Sequence, residues 1–171
     1  MQFPVYSLNL SAVSFLSLST DLVTQAYPDQ PLAVSGDATV GEVVELMRAQ
    51  RGSCVLVCSG ADSDCEGRVE GIFTERDALR WMAAGDSPQK NIRDAMTARP
   101  EMLRESVTVG AAIETMSEGG YRHLPIVDER QIPTGVVAVR GIVHYLVDHF
   151  PQTIYTLPPE PGKNPANREG A

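Results

Sequence analysis

Apolar residues recur at Val40, Val43, Val44 and Met47, the i, i+3, i+4, i+7 spacing of a helix with one buried face, and Thr39 with Glu42 forms a capping box ahead of it. Val109, Ala112, Ile113 and Met116 repeat that spacing behind Thr108. After each helix the pattern changes to a short β-rich run, Cys54 to Cys58 and Leu124 to Val127, then a loop, then a second run at Val69 to Phe73 and Gly135 to Val139. A further helix closes each unit, with Ala78, Leu79 and Met82 as the apolar face of the first and Ile142, Val143, Leu146 and Val147 as that of the second. Short extended segments, Pro31 to Val34 and Met102 to Arg104, precede the first helices. Each unit therefore reads strand, helix, strand, strand, helix, an α/β (α+β) arrangement.

The two units are copies. Thr39-Val-Gly-Glu-Val-Val-Glu-Leu-Met47 returns 69 positions on as Thr108-Val-Gly-Ala-Ala-Ile-Glu-Thr-Met116, while Gly71-Ile-Phe-Thr-Glu-Arg-Asp77 aligns with Gly135-Val-Val-Ala-Val-Arg-Gly141 at an offset of 64, so the first copy carries five extra residues in one loop. Two copies make a pseudo-symmetric pair rather than a solenoid, and a sheet this small must cover its open face against the other, which predicts packing through the sheets. The chain divides into an extension over 1–30 packed on the core, with a short alternation at Tyr6, Leu8 and Leu10; a first unit over 31–84; a turn-rich linker over 85–93; a second unit over 94–150; and an extended tail over 151–171 carrying Pro158, Pro159, Pro161 and Pro165.

Composition narrows the chemistry. Fourteen basic residues against 22 acidic ones leave a net charge of −8, which repels a phosphate backbone and argues against nucleic acid as a partner. No Lys or Arg precedes Arg48 and no apolar run approaches the ~18 residues needed to span a bilayer, so the expectation is a cytoplasmic protein without membrane attachment. Cys54 and Cys58 would lie ~13 Å apart along a strand, too far to share a zinc, and Cys54, Cys58 and Cys65 read as small hydrophobes in a reducing compartment. His144 and His149 fall ~140° apart around a helix, so no metal site is expected there. A Gly-x-Ser-x-Gly elbow, a His-Glu-x-x-His pair and a Walker loop are all missing from the sequence, and no catalytic residue is assigned.

Three segments in order, Gly71-Ile-Phe-Thr-Glu-Arg-Asp77, Asp94-Ala-Met-Thr-Ala-Arg-Pro100 and Tyr121-Arg-His-Leu-Pro-Ile-Val-Asp128, together with the repeat, resemble the cystathionine β-synthase (CBS) domain in its tandem form, the Bateman module, from about Pro31 to Phe150. The resemblance implies a regulatory, non-enzymatic module. Its two copies would pack about a pseudo-twofold axis and bind an adenosine-containing ligand such as AMP, ADP, ATP or S-adenosylmethionine, with no obligatory cofactor. It would act as a homodimer on another protein, with the equivalent aromatics Trp81 and Tyr145 on outer helix faces at the dimer interface. A purely structural dimerisation module with empty sites is the alternative reading.

By that resemblance, Asp77 accepts hydrogen bonds from both ribose hydroxyls and Thr74 faces the ligand, while Arg122 and His123 lie where phosphate is held; Ile72, Arg76 and Val34 complete the expected set. A guanidinium fork suits phosphate oxygens, and a carboxylate suits paired hydroxyls. Thr74-x-x-Asp77 is also a helix capping box, but Ala138 and Gly141 stand at the equivalent positions of the second copy, so the fold does not demand one. The copies have diverged in complementary ways, because Ser53 stands where the second copy has Arg122. One cleft should therefore hold both anchors and the other neither.

Overall fold

The computed structural model describes residues 17–60 and 67–151. The alternation at Tyr6, Leu8 and Leu10, Cys65 and the Pro-rich tail lie outside the described residues.

The first copy runs β1 (Ala33–Ser35), α1 (Val40–Gln50), β2 (Cys54–Cys58), β3 (Val69–Thr74) and α2 (Glu75–Ala84). A short β4 (Thr97–Ala98) follows, and the second copy runs β5 (Leu103–Arg104), α3 (Val109–Gly119), β6 (His123–Val127), β7 (Pro133–Ala138) and α4 (Val139–His149). The repeat thus forms the predicted order twice. Thr39 starts α1 by taking the Glu42 amide on its Oγ1 at 3.3 Å, while the Glu42 carboxylate accepts from the Thr39 amide at 2.8 Å. Left-handed Arg51 and Gly120 end the paired helices α1 and α3.

The first sheet is ordered β1-β2-β3-β4 and the second β5-β6-β7. Parallel pairing of β1 with β2, and of β5 with β6, follows from the intervening helices, which supply the crossover that parallel neighbours need. The antiparallel partners β2 and β3 flank the longer loop, where the five extra residues of the first copy fall.

Each copy is completed by a strap of chain that precedes the other. Ile92, in the 3-10 turn Ile92–Asp94, enters the first core beside Val40, Val43, Val55 and Phe73. Val23 and Ala26, around the 3-10 turn Val23–Gln25, enter the second beside Val109, Leu124, Ile142 and Tyr145. The backbone bonds match: Val40 N donates to Lys90 O at 2.8 Å, and Val109 N to Asp21 O at 2.8 Å. Asp29 pairs with Val136 on the edge of the second sheet as Thr97 pairs with Ile72 on the first. A third cluster, with Cys54, Leu56 and Ile72 from one sheet and Val127 and Val136 from the other, joins the two sheets. Burying each such Val, Leu or Ile stabilises by about 1.5–3 kcal/mol.

Three expectations are corrected. On α2, Leu79 and Met82 are 66% and 63% exposed, and on α4 Val143 is 52% exposed, because only one narrow stripe of each helix meets its sheet. Tyr145 is wholly buried, since the Val23 strap covers it and its hydroxyl donates to Asp21 at 2.6 Å; it lies on no outer face. Trp81 packs against the first core and donates its indole N–H to Ser87 O. Cys54 is free and buried, whereas Cys58 is disulfide-bonded rather than a simple apolar filler.

Candidate functional site

Two pseudo-symmetric clefts flank the line where the copies meet. The larger, about 570 Å³, is lined by Ile72, Thr74, Arg76 and Asp77 of the first copy and by Arg122 and His123 of the second. Six of the seven residues expected from the sequence are thus brought together. Val34 is not among them. It faces α1 and the first core while its neighbour Ala33 turns towards the other sheet, as the period of a strand requires, and it lines a separate groove with Glu42 and Leu46.

The Asp77 carboxylate is held rigidly at the start of α2. Its Oδ2 accepts from the Thr74 amide at 3.0 Å and from Thr74 Oγ1 at 2.7 Å, and its Oδ1 meets only the exposed Arg80 guanidinium at 3.3 Å. The side chain is 12% exposed, so Oδ1 keeps acceptor capacity at the cleft. Capping and ligand binding are compatible here. At the start of α4 no side chain caps Ala138, and in both copies the first helical amide is satisfied instead by a backbone carbonyl, Glu75 N to Ser53 O at 3.2 Å and Val139 N to Arg122 O at 3.0 Å. The helix start is therefore secured without the carboxylate.

Sequence reasoning missed Arg99 and Tyr121, which also line this cleft. Arg99 sits just after β4 in a left-handed conformation, φ 49°, within the segment Asp94 to Pro100 that carries part of the family resemblance. Tyr121 lies across Gly119, where a Cβ would fall 2.0 Å from the ring, so glycine is needed to seat it. Among the described residues the side chains of Arg76, Arg99 and Arg122 make no hydrogen bond or ion pair, leaving three guanidiniums at one opening. Burial pushes the His123 imidazole below its ordinary pKa, with Glu75 and Asp29 opposing and Arg140 and Arg122 adding to the shift. Its Nε2 lies 2.8 Å from Ser53 Oγ across the junction of the copies.

The opposite cleft encloses about 250 Å³. Cys54 takes the place of His123, with its thiol pushed up to about 12 mainly by burial, and Ser53 takes the place of Arg122. Arg140, which lines it, is closed onto Asp29 by an ion pair at 2.6 Å. Gly141 replaces Asp77 and lies beneath the strap, where a Cβ would come within 2.7 Å of Ala26 O and 2.8 Å of Tyr27 O. No group of three or more potential metal ligands occurs among the described residues, and no helix among them is long and apolar enough to cross a membrane.

The family model for the CBS domain matches residues 21–84 and 92–148, two tandem copies covering most of the chain. The chain belongs to the CBS domain family. A curated relative, the meiotically up-regulated gene 70 protein of Schizosaccharomyces pombe, is 34% identical over 113 residues; the match takes in 65% of this chain but only 15% of that protein. Among solved structures, the CBS domain pair of protein MJ0100, in complex with 5′-methylthioadenosine and S-adenosyl-L-methionine, superposes with a TM-score of 0.65 at 19% identity, over 73% of this chain and 98% of its own. The AMP complex of the CBS domain protein PAE2072 from Pyrobaculum aerophilum gives 0.64 at 20% identity, over 74% and 98%. At these identities the likeness establishes the CBS pair fold.

Proposed function

We propose that this CBS pair is a non-catalytic regulatory module that binds one adenosine-containing ligand in the larger cleft and passes its occupancy to another protein. The observation that carries this reading is the union, in one opening, of Thr74 and Asp77 from one copy with Arg122 and His123 from the other. Asp77 Oδ1 accepts from the ribose hydroxyls, each charge-assisted bond contributing roughly 1.5–3 kcal/mol. Arg122 and His123 face the ligand's anionic end, and the Tyr121 ring offers a surface to the base. The complexes of MJ0100 and PAE2072 with adenosine compounds support the class of ligand.

A ligand that touches both copies binds most tightly to one relative placement of them, and that difference in affinity is what a partner can read. The exposed Leu79, Met82, Val139 and Val143 on α2 and α4 favour a homodimer through these helices, as an accompaniment to ligand binding rather than a substitute for it. Thermal unfolding with AMP, ATP and S-adenosylmethionine tests the ligand reading, because a ligand at a hundred times its dissociation constant adds roughly 2.7 kcal/mol. If none of the three raises the melting temperature, the purely structural reading takes its place.

A further inference from the structure

Ser53 and His123 belong to different copies and to different clefts, yet they share a hydrogen bond of 2.8 Å. Three observations favour one direction for it. Burial disfavours the imidazolium, so the ring carries one N–H. Ser53 makes no other side-chain hydrogen bond among the described residues; if Nε2–H donated to Oγ, the hydroxyl proton would have no acceptor in the protein. No buried side-chain nitrogen lacks a partner among the described residues, so Nδ1, which has none, keeps access to solvent, and the opening that His123 lines is the larger cleft.

We infer that Ser53 is a positioning residue for His123: its hydroxyl donates to Nε2 and so holds the ring as the Nδ1–H tautomer, presenting that N–H to an anionic group of the ligand. The imidazole then acts as a neutral directional donor beside the Arg122 charge, and phosphorylated nucleosides are favoured over adenosine itself. The inference rests on the ligand-binding reading for its consequence, but the tautomer is a property of the free protein. The pseudo-symmetric counterparts are Arg122 and Cys54, a guanidinium and a buried thiol in place of a hydroxyl and an imidazole, and Ser53, which itself lines the smaller cleft, thus serves the larger one.

Nitrogen-15 chemical shifts and two-bond couplings of the His123 ring at neutral pH test the assignment without any ligand. The wild type should show the Nδ1–H form, Ser53→Ala should move the ring towards the Nε2–H form that free imidazoles prefer, and Ser53→Thr should restore it. By calorimetry, Ser53→Ala should weaken AMP about tenfold and adenosine by less than about twofold, the scale of one hydrogen bond. A wild-type ring already in the Nε2–H form, a tautomer unchanged by Ser53→Ala, or equal losses for AMP and adenosine would overturn the inference. Failure of the wild type to bind AMP, ATP or S-adenosylmethionine would remove the proposed function instead, while the ring shifts still decide the role of Ser53.

Discussion

Asp77 and Gly141 occupy the same position in the two copies, and only one of them has room for a side chain: at 141 the carbonyl oxygens of Ala26 and Tyr27 lie within 2.8 Å of where a Cβ would stand. The obstacle is backbone, held in turn by the stacking of Tyr27 on His144 at 4.4 Å and by the hydrogen bond from its hydroxyl to Asp148. Gly141→Ala should therefore cost about 1–3 kcal/mol. In a chain of this length that lowers the melting temperature by roughly 2–4 °C per kcal/mol. Calorimetric melting at the wild-type temperature would mean that the strap yields easily.

The same asymmetry predicts the stoichiometry of the proposed ligand. Titration calorimetry should give close to one ligand per chain. On the proposed reading Asp77→Ala removes the ribose acceptors, and losing two bonds of about 1.5 kcal/mol each should weaken binding roughly a hundredfold. Arg122→Ala should hurt AMP more than adenosine. Two equivalent sites per chain, or normal binding by Asp77→Ala, would count against the assignment of the larger cleft.

Acid should weaken the fold through His123. Its pKa is lowered in the native protein from the ordinary 6.5, so below that pH the unfolded chain takes up a proton that the folded one resists. The associated stability is present above about pH 6.5 and is lost as pH falls from there through the lowered native value. Urea midpoints at pH 7.5 and 5.5 should differ less in His123→Asn than in the wild type, and equal differences would assign the acid sensitivity elsewhere.

The dimer face expected from the sequence has to be redrawn. Because Tyr145 is in the core and Trp81 packs on the first, the informative substitutions are Leu79→Glu and Val143→Glu, both at exposed sites. Light scattering should show a wild-type dimer at micromolar concentration shifted towards monomer by either change, with little loss of stability. A monomeric wild type would end the dimer proposal.

Much of this was legible from residues alone. The repeat offsets located both copies, the capping box at Thr39 and Glu42 formed as read, and complementary divergence at Asp77, Gly141, Ser53 and Arg122 matches the two unequal clefts. What escaped depended on contacts distant in sequence. Tyr145 looks like an outer aromatic until the strap carrying Asp21 and Val23 is laid over it. Val34 sits in a three-residue strand whose neighbours Ala33 and Val34 pack on opposite sides, and so short a run does not mark in the sequence which face meets the cleft. Arg99 points to nothing until β4 has joined the first sheet.

The exchanged straps also govern the order in which the molecule can be made. Val23 leaves the ribosome long before Val107 and Tyr145, the groups that receive it, have been synthesised. At roughly 5–20 residues per second, that interval is on the order of ten seconds. The first copy likewise cannot close its core until Ile92 has emerged. The first core can close once Ile92 has emerged, whereas the second must recover a strap made before the first copy, so the two halves are completed in sequence and the second depends on a segment that has waited through the synthesis of the first.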